Sequence, residues 1–203
     1  MLLSGGIDSA TCAFLVKKRC STRAITFAFH GIAKEELRAA RAIGRRAGVE
    51  EHRFARLPDL REANDIGVRF GALPATYIPM RNAVFYSLAA SYAEEVGVDY
   101  VVGGHNKDDL KVFRDTGTNF FGLMEGALRA GSEILSKKRM RILRPLQSRT
   151  KSQVIRQAAS LGVPFELTWS CHSSGTEHCW KCEGCLGRIS AFERARVVDP
   201  LRV

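Results

Sequence analysis

The chain has 203 residues, of which 45% are hydrophobic and 26% are charged, a composition typical of a globular enzyme and large enough for one well-packed domain. No apolar run is long enough to span a bilayer, and the N-terminus lacks the basic-then-apolar pattern of a signal peptide, so we expect a cytoplasmic protein. The formal net charge of +10, from 31 basic and 21 acidic residues, favours anionic partners such as nucleotides, anionic small molecules or RNA.

The first predicted unit is a strand, a glycine turn and a helix. A short apolar run at residues 1–3 precedes SGGIDS at residues 4–9, and an apolar segment with helical character follows. Glycines let the backbone approach an anion closely, and free N–H groups at the start of a helix point towards it. Ser4 and Ser9 add hydroxyl donors. Asp8 occupies the expected N-cap position, and its carboxylate also suits Mg²⁺.

The SGGIDS loop matches neither the dinucleotide fingerprint nor the phosphate loop that ends in Gly-Lys-Ser/Thr. It resembles the pyrophosphate-binding loop (PP-loop) of the ATP pyrophosphatases. These enzymes cleave ATP between the α and β phosphates and activate a substrate as its adenylate. A plain serine–glycine turn is the alternative, but the position between an apolar strand and a helix favours anion binding.

Strand and helix patterns alternate along the rest of the chain. Strands are predicted at residues 23–30, 49–54, 100–103 and 140–146, and helices at 33–47, 82–96, 119–128 and 150–161. This alternation predicts an α/β fold, with a parallel sheet and helices on both faces. Ligands of such sheets bind beyond the carboxyl ends of the strands, where the SGGIDS loop would lie. Residues 56–80 lack periodicity and predict a long loop over that site.

Two polar segments occur where strands meet helices. YIPMRN at residues 77–82 places Arg81 and Asn82 at a helix start, where they can hold an anion or nucleotide or, alternatively, where Asn82 simply caps the helix. GGHNKDD at residues 103–109 directly follows a strand and is typical of an active-site loop. Asp108 or Asp109 can bind magnesium there, or the pair can cap the following turn.

Two further side chains are ambiguous from position alone. His105 is a candidate proton shuttle because its ordinary pKa of about 6.5 lies near neutrality. Lys151 begins a predicted helix and can reach a phosphate, although its position by itself favours an exposed surface lysine.

Four cysteines near the C-terminus have the spacing C-x7-C-x2-C-x2-C. They are Cys171, Cys179, Cys182 and Cys185. Four thiolates complete the tetrahedral shell of Zn²⁺ and leave no position for a substrate, so the predicted site is structural. Cys12, in the first helix, is interpreted as a small buried hydrophobic residue.

The order of several motifs resembles the 7-cyano-7-deazaguanine synthase family. SGGIDSA, YIPMRN, RPLQSRTKSQVI, LGVPFELTWSC and CWKCEGCLGR follow one another between residue 2 and about residue 194. The resemblance implies an adenine nucleotide alpha hydrolase-like fold, with a PP-loop domain at residues 1–168 and a zinc-binding element at residues 169–203 packed on it. It further implies an ATP-dependent ligase, often a homodimer, that adenylates 7-carboxy-7-deazaguanine and converts it with ammonia to the nitrile precursor of queuosine and archaeosine.

The resemblance also assigns expected roles to individual positions. The resemblance implies that Asp8, Asp109 and Lys151 are catalytic and that the four cysteines bind zinc. It implies that the residues that bind ATP, together with Mg²⁺, are Ser4, Gly5, Gly6, Asp8, Ser9, Arg81 and Asn82. No membrane contact and no direct tRNA binding are expected.

Two loops depart from the family pattern, which leaves the activated acid open. Residues 109–116 lack the usual tyrosine, Asp115 is not followed by the usual cysteine and arginine, and residues 30–34 replace a tyrosine-glycine-glutamine-arginine-histidine stretch. One alternative is therefore a related deazapurine ligase or a PP-loop enzyme that thiolates or amidates tRNA, since GHNKDD also resembles the loop of such enzymes. A thiolase would need a reactive cysteine, for which Cys12 is the candidate. The other alternative is a non-catalytic RNA-binding protein with a zinc knuckle.

Overall fold

The computed structural model describes residues 1–58, 60, 77–138, 140–173 and 175–202. Within these residues the strands are β1 (Arg23–Phe29), β2 (Glu51–Leu57), β3 (Tyr100–Val102) and β4 (Arg141–Leu143). The helices are α1 (Ile7–Val16), α2 (Lys34–Ala47), α3 (Arg81–Glu95), α4 (Thr118–Ala130), α5 (Leu135–Lys138), α6 (Lys151–Ser160) and α7 (Glu183–Ala195). Short 3₁₀ helices occur at Asp109–Lys111, Arg114–Thr116 and Phe165–Leu167. No helix in these ranges is long and apolar enough to cross a membrane.

The strands form parallel pairs joined through the N-terminal segment. β1 pairs with β2, and β3 pairs with β4. Leu2 forms a parallel bridge with Ile25 of β1, and its N–H donates to the carbonyl of Val102 at the end of β3 at 2.9 Å. Residues 1–3 therefore lie between the two pairs, in the order β2–β1–(1–3)–β3–β4, and the predicted parallel sheet is confirmed.

Helices cover both faces of this sheet, as the alternation predicts. Neighbouring strand residues point to opposite faces, and they join different apolar clusters. Ala24 and Val102 pack with α1, α2, α6 and α7, whereas Ile25 and Val101 pack with α3, α4 and α5. The SGGIDS loop, which directly follows residues 1–3, lies at the carboxyl end of this central segment.

The structure corrects several sequence-based boundaries. The N-cap of α1 is Gly6 rather than Asp8, which lies in the first helical turn. β4 ends at Leu143, shorter than the predicted 140–146, because Pro145 has no N–H to donate to a neighbouring strand. β2 extends to Leu57, three residues beyond the prediction. Of the expected loop at 56–80, residues 59 and 61–76 lie outside the described residues.

A buried ion pair holds the C-terminal end of the described chain against α7. The side chains of Arg188 and Asp199 are 0% and 4% exposed, and Nε and Nη2 of Arg188 donate to the two carboxylate oxygens at 2.6 and 2.8 Å. Nη1 donates to Oγ1 of Thr168 at 2.8 Å, and Nη2 also donates to the Phe165 carbonyl at 3.1 Å. One guanidinium thus ties together α7, the chain after it and the turn at 165–168.

Because of the Arg188–Asp199 ion pair, we expect the folded protein to lose stability in acid. Burial alone would raise the pKa of Asp199, but the hydrogen bonds and charge of Arg188 hold it below its ordinary 3.8. The carboxylate therefore contributes stability above its unfolded pKa, and this contribution disappears as the pH falls through the lower folded value. We expect the free energy of unfolding, measured in urea, to decrease below about pH 4.

The variant Asp199→Asn should lose about 3–5 kcal/mol at pH 7, because it leaves a buried guanidinium without its counter-charge. The matched control is Asp99→Asn, which makes the same change at an exposed position. The double variant Arg188→Met/Asp199→Leu should recover much of the loss. Equal stability of Asp199→Asn and Asp99→Asn at pH 7 would contradict this account.

Candidate active site and metal centre

The SGGIDS loop is closed by hydroxyl groups. The Ser4 N–H donates to Oγ of Ser9 at 3.2 Å, and the Gly6 N–H donates to Oγ of Ser4 at 3.3 Å. The Ser9 hydroxyl donates to the Gly6 carbonyl at 3.0 Å. These bonds curve the backbone around the N-terminus of α1, where N–H groups lack partners within the helix and attract an anion.

Glycine is required at two points where this loop meets its neighbours. Gly5 has φ of +89°, and a Cβ there would lie 2.5 Å from the backbone nitrogen of Ala40 in α2. A Cβ on Gly104 would lie 2.8 Å from the Ser9 nitrogen. The loop after β3 is therefore pressed against the start of α1, which brings the two polar loops of the sequence together.

Three predicted residues from separate parts of the chain meet at this junction. The Lys151 ammonium, at the start of α6, forms an ion pair with Oδ2 of Asp8, and its side chain is 31% exposed. Oδ1 of Asp8 is buried and has no hydrogen-bond partner among the described residues. Burial and the charge of Asp8 together raise the pKa of nearby Asp109 to about 6, while the hydrogen bond from the Asn106 N–H at 2.8 Å opposes the rise.

The neighbouring Asp108 is the N-cap residue of the following 3₁₀ turn but makes no side-chain capping hydrogen bond to that turn. Its Oδ2 accepts from the Lys151 backbone N–H at 2.9 Å, next to the capping box of Thr150 and Gln153. Both carboxylate oxygens of Asp109 accept from Asn106, and the charge of Asp8 acts on this carboxylate. A buried carboxylate oxygen without a partner, beside a second carboxylate, is a donor set that suits Mg²⁺.

A cleft of about 270 Å³ opens beside the loop. One wall is apolar and includes Phe27 and Phe85, whose rings stack with centroids 4.4 Å apart. Arg81 and Asn82 line it from the start of α3. Asn82 does not cap that helix, because the N-cap is Met80 and the Asn82 amide donates to the Asp115 carbonyl at 3.2 Å.

Two titratable groups in the cleft have pKa values that are shifted from their ordinary values. Burial lowers the pKa of His105 to about 4, with a further contribution from Arg81, so its ring is neutral at pH 7. Burial raises the pKa of Glu36, on α2, to about 7, while the charge of Arg81 opposes the rise. Sequence reasoning did not identify Glu36, since nothing in the pattern of α2 separates it from the acidic residues of an ordinary amphipathic helix.

Cys12 is fully buried in α1 and contacts the Gly103 carbonyl at 3.8 Å. Burial raises the pKa of its thiol, so it stays protonated at neutral pH and is a poor nucleophile. This agrees with the interpretation of Cys12 as a core residue.

The four C-terminal cysteines converge on one point. All four Sγ atoms lie within 4.8 Å of one another. Two of the sulfur pairs, Cys179–Cys185 and Cys171–Cys182, are separated by 4.0 and 3.9 Å. Metal–sulfur bonds of about 2.3 Å in a tetrahedron give edges of about 3.8 Å, so the cluster has the size of a four-thiolate metal site.

Backbone contacts connect this cluster to the loop at the other end of the chain. The Cys179 and Ser173 N–H groups donate to Sγ of Cys171, each at 3.4 Å, which suits a thiolate acceptor. Two residues before Cys171, the Trp169 N–H donates to the Gly5 carbonyl at 3.0 Å. The cysteine cluster therefore supports the chain segment that contacts the SGGIDS loop, rather than lining the cleft.

Comparisons with known proteins agree with this arrangement. The family model described as "Queuosine biosynthesis protein QueC" matches residues 1–196. The 7-cyano-7-deazaguanine synthase of Thermoplasma acidophilum is 35% identical over 99% of this chain and 90% of its own length. That of Persephonella marina is 34% identical over 98% and 94%. The solved NMN synthetase of Francisella tularensis shares the fold with a TM-score of 0.54 at 19% identity, covering 98% of this chain and 78% of that one.

The parallel strands, the helices on both faces and the glycine loop at the carboxyl edge define an α/β protein with a candidate anion-binding loop. Within that class, the chain belongs to the QueC family, as the order of its motifs predicts.

The cysteine cluster predicts one tightly bound metal ion per chain. Replacing a ligand, as in Cys182→Ser, should lower the metal content measured by plasma mass spectrometry to well under half an equivalent, because three thiolates hold the ion less tightly. The matched control is Cys20→Ser, which changes an exposed cysteine outside the cluster and should keep one equivalent. Equal metal content in the two variants would count against the site.

Proposed function

We propose that this protein adenylates the carboxylate of 7-carboxy-7-deazaguanine with ATP and converts it with ammonia to 7-cyano-7-deazaguanine, the precursor of queuosine and archaeosine. The observation that carries the proposal is the cluster of Asp8, Asp109 and Lys151 over an anion-binding loop, in a chain that matches the QueC family from residue 1 to 196.

The proposed ATP site uses the loop and the cleft together. Backbone N–H groups at the start of α1, with the hydroxyls of Ser4 and Ser9, bind the β and γ phosphates, which leave as pyrophosphate. Gly5 and Gly6 keep side chains out of the phosphate path. Arg81 and Asn82, at the start of α3, hold the rest of the nucleotide against the apolar wall.

The acidic and basic groups at the junction stabilise the negative charges of the ATP phosphates and of the departing pyrophosphate. Oδ1 of Asp8 and the carboxylate of Asp109 are the proposed Mg²⁺ ligands, and the ion would supply positive charge to the phosphates of ATP. Lys151 places its ammonium beside Asp8 and stabilises the negative charge that develops on the departing pyrophosphate.

The chemistry needs no side-chain nucleophile. A carboxylate oxygen of the substrate attacks the α phosphorus, the bond from that phosphorus to the bridging oxygen breaks, and pyrophosphate leaves. Ammonia then attacks the acyl carbon and AMP leaves, which gives the amide. A second ATP activates the amide oxygen in the same way, and loss of AMP and two protons gives the nitrile. Most of the acceleration comes from orientation and fixed charges.

The remaining features complete the proposal. Zn²⁺ held by the four cysteines would fasten a C-terminal element, residues 169–203, to the PP-loop domain of residues 1–168. The protein acts as a cytoplasmic homodimer on a free base, without tRNA in the site. The protonated, buried Cys12 disfavours a tRNA thiolase on this scaffold.

The test is a reaction containing the zinc-loaded protein, ATP, Mg²⁺ and ammonium, with and without 7-carboxy-7-deazaguanine, in which AMP, pyrophosphate and product are followed by mass spectrometry. We expect nitrile and AMP only when the acid is present. AMP without nitrile would shift the substrate to a related acid or to tRNA. No AMP under any condition would favour a binding protein and overturn the proposal.

Loss of the Lys151 charge should slow adenylation, the step that releases pyrophosphate. We expect Lys151→Met to lower kcat for pyrophosphate release by about 10²–10³-fold, the size of one lost charge-stabilising contact. The matched control is Lys18→Met, an exposed lysine just after the end of α1, which should retain full activity. Wild-type kcat in a Lys151→Met protein with normal thermal stability would remove Lys151 from the mechanism.

A further inference from the structure

A second polar cluster lies beside the cleft, at the carboxyl ends of β3 and β4. The hydroxyl of Tyr86 and Nε of Arg144 are both buried, and neither has a hydrogen-bond partner among the described residues. Each unpaired buried polar group costs about 1–3 kcal/mol, so two of them near one ligand cleft need an explanation.

Both groups pack around the ring of Phe121. The Arg144 guanidinium lies 4.5 Å from the Phe121 centroid, and the Tyr86 ring meets Phe121 edge-on at 4.8 Å. His105, which lines the cleft, contacts the same ring at 5.3 Å. The aromatic platform fixes the position of the guanidinium, in part through cation–π attraction.

Tyr86 connects this cluster to the cleft itself. Its side chain lines the cleft although the residue is 0% exposed in total. A Cβ on Gly103 would lie 1.6 Å from the hydroxyl oxygen, so the hydroxyl touches the backbone that carries the loop after β3. Burial raises the pKa of Tyr86, so the hydroxyl keeps its proton and remains a donor.

The charge of Arg144 is not neutralised by a close partner. Within the described residues it forms no ion pair, and the nearby acid Glu125 already binds Arg129 at 3.5 Å, Arg141 at 3.4 Å and the Ile142 N–H at 2.6 Å. His105 is neutral at pH 7. The charge of Arg144 is therefore not neutralised, and its Nε and the Tyr86 hydroxyl remain two donors without a partner in the described part of the chain, with Tyr86 alone of the two residues lining the cleft.

We propose that Arg144 and Tyr86 hold the carboxylate of the acid substrate. An arginine and a hydroxyl that are already fixed by packing form strong, directional hydrogen bonds to a carboxylate. Binding would satisfy both unpaired donors at once. This inference rests on the proposed function, because it names which residues recognise the group that ATP activates.

This placement also has a consequence for the reaction. The carboxylate oxygen held by Arg144 and Tyr86 is turned away from ATP, and the other oxygen is left free to attack the α phosphorus. When ammonia adds to the acyl carbon, the held oxygen takes up the negative charge, and the same two donors stabilise it. Arg144 and Tyr86 are thus assigned to substrate binding and to the ammonia step, and the SGGIDS loop to pyrophosphate release.

The experiment compares two ligands that differ only in the carboxylate. Dissociation constants for 7-carboxy-7-deazaguanine and for 7-deazaguanine are measured by calorimetry, with Mg²⁺ and α,β-methylene-ATP present. For Arg144→Met we expect the dissociation constant of the acid to rise about 10–100-fold, the value of a charged hydrogen bond, while those of 7-deazaguanine and the ATP analogue stay unchanged. Tyr86→Phe, which removes only the hydroxyl, should give a smaller loss of the same kind, and Arg144→Lys should restore part of the affinity.

The matched control is Arg141→Met, which removes an exposed arginine of β4, three residues before Arg144. It should leave all three constants unchanged. The inference would be overturned if Arg144→Met bound the acid with wild-type affinity, or if it lost affinity for 7-deazaguanine to the same extent as for the acid. In either case, nitrile formation by the wild-type protein would leave the proposed function standing. A wild-type protein that neither binds the acid nor forms nitrile would overturn both.

Discussion

The backbone hydrogen bonds of residues 1–3 are the constraint on which the site depends. They join β1 on one side and the end of β3 on the other, so a three-residue segment becomes the middle of a parallel sheet. The SGGIDS loop begins where this segment ends. It therefore opens at the carboxyl edge between the two strand pairs, where parallel α/β sheets bind their ligands.

Close backbone contacts then bring distant residues to this loop. Gly104 touches the start of α1, which carries Asp109 and His105 to the same place as Asp8. Lys151 arrives from α6 and pairs with Asp8. Burial raises the pKa of Asp109 and lowers that of His105, so the junction holds a carboxylate that is partly protonated near pH 6, and the cleft holds an imidazole that is neutral at pH 7. Such a site stabilises charge that its ligands bring in.

The C-terminal segment supports the loop without entering the cleft. Trp169 bonds to Gly5, the cysteine cluster follows two residues later, and the Arg188–Asp199 pair ties the turn before Trp169 to α7. The cysteine cluster and the buried ion pair therefore hold the same piece of chain from two sides. Loss of either is expected to loosen the contact with Gly5 before it changes any group that faces the cleft.

The sequence by itself determined the α/β class, the SGGIDS loop, the cysteine cluster and the family, because each of these depends on local spacing or on the order of short motifs. It could not decide which polar groups are buried, since burial depends on how distant elements pack. Asp8 is consequently an ion-pair partner rather than a cap, and Lys151, which position alone would leave on the surface, reaches the loop. Only the tertiary structure placed Arg144 and Tyr86 on one aromatic ring with unpaired donors, because α3 and the segment after β4, almost sixty residues apart in the chain, both pack on Phe121.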